Sequence, residues 1–301
     1  GMYFSNDRPI IAAATPRDRL AVGQGVSFSG LGLGNALGVI VGGLLGELLP
    51  WRQVFLVLMA LPLLSATLIG RFVHEPPRAA AGGVAGEPAW RAADVFRQRD
   101  VWLLGVAGLC PIWTQWLIGT WGPALFVEVG VTELGRSAVY ASLLGFAALP
   151  GLFTVGAVSD RLLRRGVGRK VVFAGAILCI AVLVAAMGVT VQARGGAGLL
   201  ALLVFATSFF VWGAWAPAYA LMSELFPQRV MGVAYGLLNA ISFVASLLAP
   251  YLTGWIKDWS GSFAWGCYLA AAVALAGVPV AMAVRPAYRL APGTRSVPAA
   301  R

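Results

Sequence analysis

Histidine and acidic side chains are scarce in this sequence: one histidine, His74, and 12 aspartates and glutamates stand among 301 residues. This one histidine sits in an expected cytoplasmic loop, so no His-based metal site, no catalytic triad and no catalytic residue is expected. The three cysteines, Cys110, Cys179 and Cys267, lie in or near apolar stretches and none has a partner in a CxxC spacing. They read as packed thiols rather than ligands or a disulfide. No glycine-rich phosphate loop or dinucleotide fingerprint is present, so no nucleotide cofactor is expected either. Charged residues make up 11% of the chain, whereas soluble domains carry about a quarter. What fills the space is apolar: 59% hydrophobic residues and a mean hydropathy of +0.81 place the chain in a membrane.

Apolar runs of about 20 residues, the length of helix that crosses a hydrocarbon core of about 30 Å, recur along the whole chain. They span roughly 20–48, 52–73, 102–126, 137–158, 170–192, 197–222, 231–256 and 263–284, with a shorter piece over 1–14. The runs are long and continuous, which predicts an all-α membrane protein with eight full spans and one partial, rather than a barrel of short alternating strands. Of the 22 Lys and Arg, seventeen fall in one set of alternating connections and four in the other, with Arg8 inside a span. Positive loops stay in the cytoplasm, so this set and the C-terminus with it are expected there, in a multi-pass inner-membrane protein. The net charge of +10 is then a topology signal with an added affinity for anionic lipid headgroups, and not a mark of nucleic-acid binding.

One linker stands out, HEPPRAAAGGVAGEPAWRAADVFRQRD, residues 74–100, rich in Ala, Gly, Pro and Arg. Across it, Pro16, Gly25 and Gly43 repeat the mutual spacing of Pro227, Gly236 and Gly254 at a constant offset of 211. Residues 1–73 then correspond to the second part of 102–284. On this reading, residue 1 aligns with Trp212, and on the order of 110 residues, about three and a half spans, are expected ahead of it. The expected organisation is 1–73 as the remainder of an N-terminal helical half, 74–101 as a cytoplasmic linker, 102–285 as a six-helix C-terminal half and 286–301 as a cytoplasmic tail.

The stretch GAVSDRLLRRGVGRK, 156–170, resembles the signature loop between the second and third helices of each half in the major facilitator superfamily, through Gly156, Asp160, Arg161, Arg164, Arg165, Gly168, Arg169 and Lys170. Two six-helix halves joined by a cytoplasmic linker are that superfamily's plan. The resemblance implies its fold, here lacking about the first three and a half helices, and secondary transport by alternating access. Asp160 falls at the C-terminal end of a helix, where a negative charge opposes the macrodipole unless something compensates. The resemblance implies that it caps the N-terminus of a neighbouring helix, expected at Val230 to Gly232, with arginines bridging beneath and Gly156 letting two helices approach closely. Such a gating loop would stabilise one access state.

Within the superfamily, SNDRPIIAAATPRDR, 5–19, and YLTGWIKDWSGSFAWG, 251–266, are most similar to the anion:cation symporters of organic acids such as hexuronates and galactonate. The former carries Asn6, Arg8, Pro16, Asp18 and Arg19 in the family's places, while Ala14 and Thr15 replace its aromatic-containing stretch. The stretch GNALGVIVGG, 34–43, resembles the glycine motif of drug and proton antiporters but has Val39 in place of the proline, which counts against efflux. Between 102 and 284 no Asp, Glu, Lys or Arg lies at mid-depth, so coupling charge must come from the first helices. Arg8 lies about 12 Å from the helix end near Pro16, toward the midplane, where its guanidinium can fork onto a carboxylate. Asp7 can neutralise it or carry a proton. In the later helices Gln115, Trp116, Trp215, Tyr219 and Asn239 are the candidate substrate contacts, and kinks that let the gates bend are expected at Pro111, Pro123, Pro150, Pro217 and Pro250.

The expected function is proton-coupled symport of a small organic anion, with no enzyme activity. The alternatives are a drug or metabolite exporter and a degenerate transporter-like sensor. Arg8→Gln is expected to abolish carboxylate uptake, measured with labelled substrate in cells. Retained uptake with unchanged affinity would reduce Arg8 to a structural pair with Asp7.

Overall fold

A computed structural model of the chain describes residues 11, 15–16, 19–72, 91–131 and 134–285, and every regular element among them is a helix. In chain order these are α1 (Leu20–Leu48), α2 (Trp51–Phe72), α3 (Ala92–Arg97), α4 (Arg99–Glu128), α5 (Leu134–Phe146), α6 (Ala148–Leu163), α7 (Arg169–Gln192), α8 (Ala197–Gly213), α9 (Trp215–Leu225), α10 (Gln228–Ser242), α11 (Val244–Ser260) and α12 (Ala264–Met282). Among the described residues, seven helical stretches are long and apolar enough to cross a membrane. α1, at 29 residues, has the length of another. A backbone in hydrocarbon must satisfy its own N–H and C=O groups, so apolar runs this long have no other regular option but helix.

Three of the expected spans carry a one-residue interruption in their hydrogen-bond ladder, but Ala147, Ala214 and Phe243 at these points keep helical dihedrals, so each span runs on. α5 stops at Phe146 and α8 at Gly213, each four residues before a proline, Pro150 and Pro217. The cause is the proline ring, which removes the N–H that would bond to the carbonyl four residues back and crowds that carbonyl. The third interruption, at Phe243 between α10 and α11, has no proline in that position. Pro111, Pro123 and Pro250 sit inside helices whose hydrogen-bond ladder continues through them.

α4 is the central element and touches α5, α8, α10, α11 and α12, while α12 runs alongside α7. Small residues set the distances. A Cβ on Gly277 would meet the Cys110 sulfur at 2.2 Å, and one on Gly188 would meet the Tyr268 ring at 2.7 Å. α1 lies across α5 and α6 so closely that backbones touch: a Cβ on Gly32 would fall 1.9 Å from the Ala148 Cβ, and one on Gly25 would come 2.9 Å from the Leu152 carbonyl oxygen. Gly145 and Gly156 answer from the other side, against Gly32 and Ala21. Without a hydrophobic drive between helices in lipid, close packing and polar contacts hold such a crossing together. α2, by contrast, is exposed along nearly its whole length.

The tightest glycine contact with the backbone of another later helix is Gly151 of α6, where a Cβ would lie 2.2 Å from the Phe209 carbonyl oxygen of α8. Gly151→Ala is therefore expected to destabilise the protein by about 1–3 kcal/mol through overpacking. Gly175→Ala, where a Cβ meets open space, is expected to be neutral or to stabilise by up to about 1 kcal/mol. Melting in detergent checks both, and equal midpoints would contradict the close α6–α8 contact.

Candidate functional site

The first four N–H groups of a helix lack partners within it, and a side-chain acceptor on the N-cap residue normally serves the second or third of them. The N-cap of α1 is Arg19, whose side chain makes no such bond. Asp160 of α6 takes over from a distance of 139 positions in sequence: its carboxylate accepts from the backbone N–H of Ala21 at 3.3 Å and of Val22 at 3.0 Å. Asp160 is buried and ion-paired with the fully buried guanidinium of Arg169 at the start of α7. Arg169 also donates through Nε to Glu224 near the end of α9, at 2.6 Å. One negative, one positive and one negative group leave a net charge of −1, set against the positive end of the α1 dipole, about half an elementary charge. The carboxylate is thus placed where the fields of Arg169 and α1 together offset the unfavourable end of its own helix.

The helix capped by Asp160 is therefore α1, and not the expected segment Val230 to Gly232. The repeat explains the difference, since Arg19 to Ala21 are the positions 211 residues before Val230 to Gly232. The capped helix is the counterpart in the other copy. Arg169 is the bridging arginine; Arg161, Arg164 and Arg165 are exposed around the turn. That turn needs a glycine at Gly166, where φ is +84°, while Gly168 is the extended N-cap of α7. Lys170 points away from the latch and donates to the carbonyls of Met282 and Val284 at the end of α12. At the same place the Arg285 N–H donates to buried Asp100.

Deeper in the bundle, aromatic rings from α1, α9 and α10 converge. Trp215 stacks on Tyr219 with centroids 5.1 Å apart, and Phe28 of α1 stands edge-on to Trp212, Trp215 and Tyr219 at 5.5–6.4 Å. The Tyr219 hydroxyl donates to the Asn239 side-chain oxygen at 3.3 Å. α4 meets this cluster at Gly108, where a Cβ would touch the Ser242 hydroxyl and the Trp215 ring. Two donors here are buried without a hydrogen-bond partner among the described residues, Trp215 Nε1 and Asn239 Nδ2, and so is Trp113 Nε1 on the adjoining α4. An unmet buried donor costs about 1–3 kcal/mol, so three of them in adjoining helices invite an acceptor-rich ligand. By contrast, Trp212 Nε1 is occupied by the Leu144 carbonyl at 2.7 Å and serves packing.

Of the sequence candidates, Trp215, Tyr219 and Asn239 come together. Gln115 is half-buried and Trp116 is 40% exposed, and neither joins the Tyr219–Asn239 pair by a hydrogen bond or ring contact. Asn6, Asp7 and Arg8 lie outside the described residues. Sequence reasoning missed Phe28 as a member of the aromatic cluster. Phe28 sits in a helix whose visible signal is glycine, and only the α1 crossing brings it to the cluster. Glu224 was visible as the one charge at the edge of the fourth long run of the C-terminal part, but not its partner. At the other end of the bundle a second carboxylate caps a helix from afar: Glu128 of α4 accepts from the Phe263 N–H at 3.0 Å, from the Ser262 hydroxyl, and from Lys257 at 3.1 Å.

Residues 1–247 match the Major Facilitator Superfamily model. A hexuronate transporter of Bacillus subtilis is 28% identical over 295 residues, 93% of this chain and 69% of that protein. The probable galactarate/D-glucarate transporter of the same organism is 29% identical over 181 residues, 58% of this chain and 39% of its own. The probable L-galactonate transporter of Escherichia coli is 23% identical over 194 residues, 62% of this chain and 41% of that one. The chain thus spans from about two fifths to about two thirds of the length of these relatives. Among solved structures, the Escherichia coli fucose:proton symporter superposes with a TM-score of 0.66 at 14% identity, over 94% of this chain and 73% of the other, which is a likeness of fold.

Asp160→Asn keeps an acceptor but removes the charge. It is expected to speed amide hydrogen exchange at Ala21 and Val22 by about tenfold, the equivalent of about 1.4 kcal/mol of cap and dipole energy, and to leave Phe263 unchanged. Unaltered exchange at Ala21 and Val22 would mean that α1 does not depend on this cap.

Proposed function

The chain belongs to the major facilitator superfamily, and from that premise we propose that it carries a small organic anion across the membrane by alternating access, in symport with protons. It is a multi-pass membrane protein of a transporter family and not an enzyme. The observation that carries the substrate reading is the pair of unpartnered donors at Trp215 and Asn239 beside Tyr219, with a third at Trp113 on the adjoining α4. Carboxylate and hydroxyl oxygens of a sugar acid supply the acceptors that this set lacks. Relatives named for hexuronate, galactarate, D-glucarate and L-galactonate support the same class.

In this reading, residues 1–73 belong to one helical half and 102–285 form the other, with 74–101 as the linker and 286–301 as a tail. The arginine-rich end is cytoplasmic and the membrane is the inner membrane. Asp160, Arg169 and Glu224 tie α6, α7 and α9 to α1 and so hold the cytoplasmic side closed. Breaking a buried ion pair by removing one partner costs about 3–5 kcal/mol, enough to bias an access equilibrium by two orders of magnitude or more. Asn6, Asp7 and Arg8 supply the substrate anchor and the proton site, because the later helices offer no charge at depth. Gln115 and Trp116 complete the contacts when the halves rearrange.

Proteoliposomes holding the native protein and labelled D-glucuronate provide the test. An inward proton gradient is expected to drive accumulation, a protonophore to collapse it, and unlabelled galactarate to compete. Binding without counterflow would favour a sensor, and pH coupling of the opposite direction would favour an exporter.

A further inference from the structure

α9 is eleven residues long and carries both features at once. Tyr219, in the aromatic cluster, and Glu224, in the latch, are five residues apart on it. Pro217 removes one helical hydrogen bond where the segment follows α8, although Ala214 between them keeps helical dihedrals, and the extended residue Phe226 separates the segment from α10. It is a helical piece with a weak point at one end and a joint at the other.

α10 grips that piece at two points from one face, since Tyr235 and Asn239 are four residues, about one turn, apart. Asn239 accepts from the Tyr219 hydroxyl at the tip of the side chain. Tyr235, fully buried, donates to the Tyr219 carbonyl at 2.8 Å at its base and shares a further hydrogen bond with the Ser223 hydroxyl. The one Ser223 proton goes either to the Tyr235 oxygen or to the Tyr219 carbonyl, 2.9 Å away, and the Tyr219 and Tyr235 rings meet edge-on at 5.5 Å. The next residue is Glu224, bonded to Arg169 and through it to Asp160 and the start of α1.

We propose that Tyr235 is a positioning residue that couples the Tyr219–Asn239 pair to the Asp160–Arg169–Glu224 latch. With its hydroxyl bonded to the base of Tyr219 and to Ser223, a displacement at Asn239 moves α9 as one body and shifts Glu224 against Arg169. Without that hydroxyl the pair still forms, but its displacement is absorbed by rotation of the Tyr219 side chain. This rests on the transport reading above, in which substrate at the cluster must be felt at the gate.

The test is a double-mutant cycle on the full native protein in nanodiscs, read as amide hydrogen exchange at Ala21 and Val22 without ligand. Asn239→Ala is expected to change exchange there at least about fivefold in the native background and less than about twofold in the Tyr235→Phe background, with the Phe263 amide unmoved. A merely structural Tyr235 would shift all variants alike. Equal effects of Asn239→Ala in both backgrounds, or none in the native one, would overturn the proposal. If Tyr235→Phe does not fold, the cycle is run with Ser223→Ala and the same two outcomes decide. The cycle needs no substrate, so a failure of D-glucuronate uptake would refute the substrate reading and leave this result standing.

Discussion

The N-terminus of α1 must find acceptors for its backbone N–H groups at a place where its own sequence offers an arginine. Asp160, across the molecule on α6, meets that need at Ala21 and Val22, and much else follows from it. A carboxylate near the C-terminal end of its own helix requires a cation, which is Arg169. The guanidinium is buried and has donors to spare, and Glu224 takes one of them. Four elements that are distant in sequence, α1, α6, α7 and α9, are thereby tied at one point. The tie is also conditional, because withdrawing α1 leaves a buried network with a net negative charge and no dipole to face. A contact held by charge and backbone amides can release and re-form without unpacking an apolar core, which suits a gate.

The glycine crossing of α1 over α5 and α6 makes that cap reachable. Gly25 and Gly32 on one side and Gly145 and Gly156 on the other bring the backbones into contact, so the α1 N-terminus arrives within hydrogen-bond range of Asp160. Small residues allow the approach, and the carboxylate sets where along the helix it stops. The same device appears at the opposite end, where Glu128 caps the turn into α12 with Lys257 beside it. There the tie joins α4 to the turn between α11 and α12, all within the later helices. One carboxylate thus spans two groups of helices and the other consolidates a single group.

The aromatic cluster lies between these ends with its polar needs only partly met. Tyr219 is gripped from two sides, yet Trp113, Trp215 and Asn239 each keep a buried donor unpaired, and Phe28 of α1 covers the rings. Proteins rarely tolerate such donors without a use for them. Trp215 and Tyr219 of the cluster and Glu224 of the ion-pair network lie on the same eleven consecutive residues.

Helix, membrane and family were all legible in the chain, because hydrocarbon admits few backbone solutions and long apolar runs select one of them. The motif around Asp160 was equally plain, as were Trp215, Tyr219 and Asn239, since polar and aromatic groups stand out where nearly everything else is aliphatic. Pro150 and Pro217 interrupted their hydrogen-bond ladders for a reason written in the residue itself, while the interruption at Phe243 left no mark in sequence. What sequence could not supply was partnership. The family resemblance implied that Asp160 caps a helix end, but two repeat-related ends were available, and the close crossing at Gly32 and Gly145 decided for α1. Gly168 matched the motif, yet the backbone asked for glycine at Gly166. Tyr235 reads as one more tyrosine in an apolar run until α9 and α10 are laid side by side. Local composition determines what each segment must become, whereas pairing between distant charges, donors and helix ends depends on distances that only the packed structure sets.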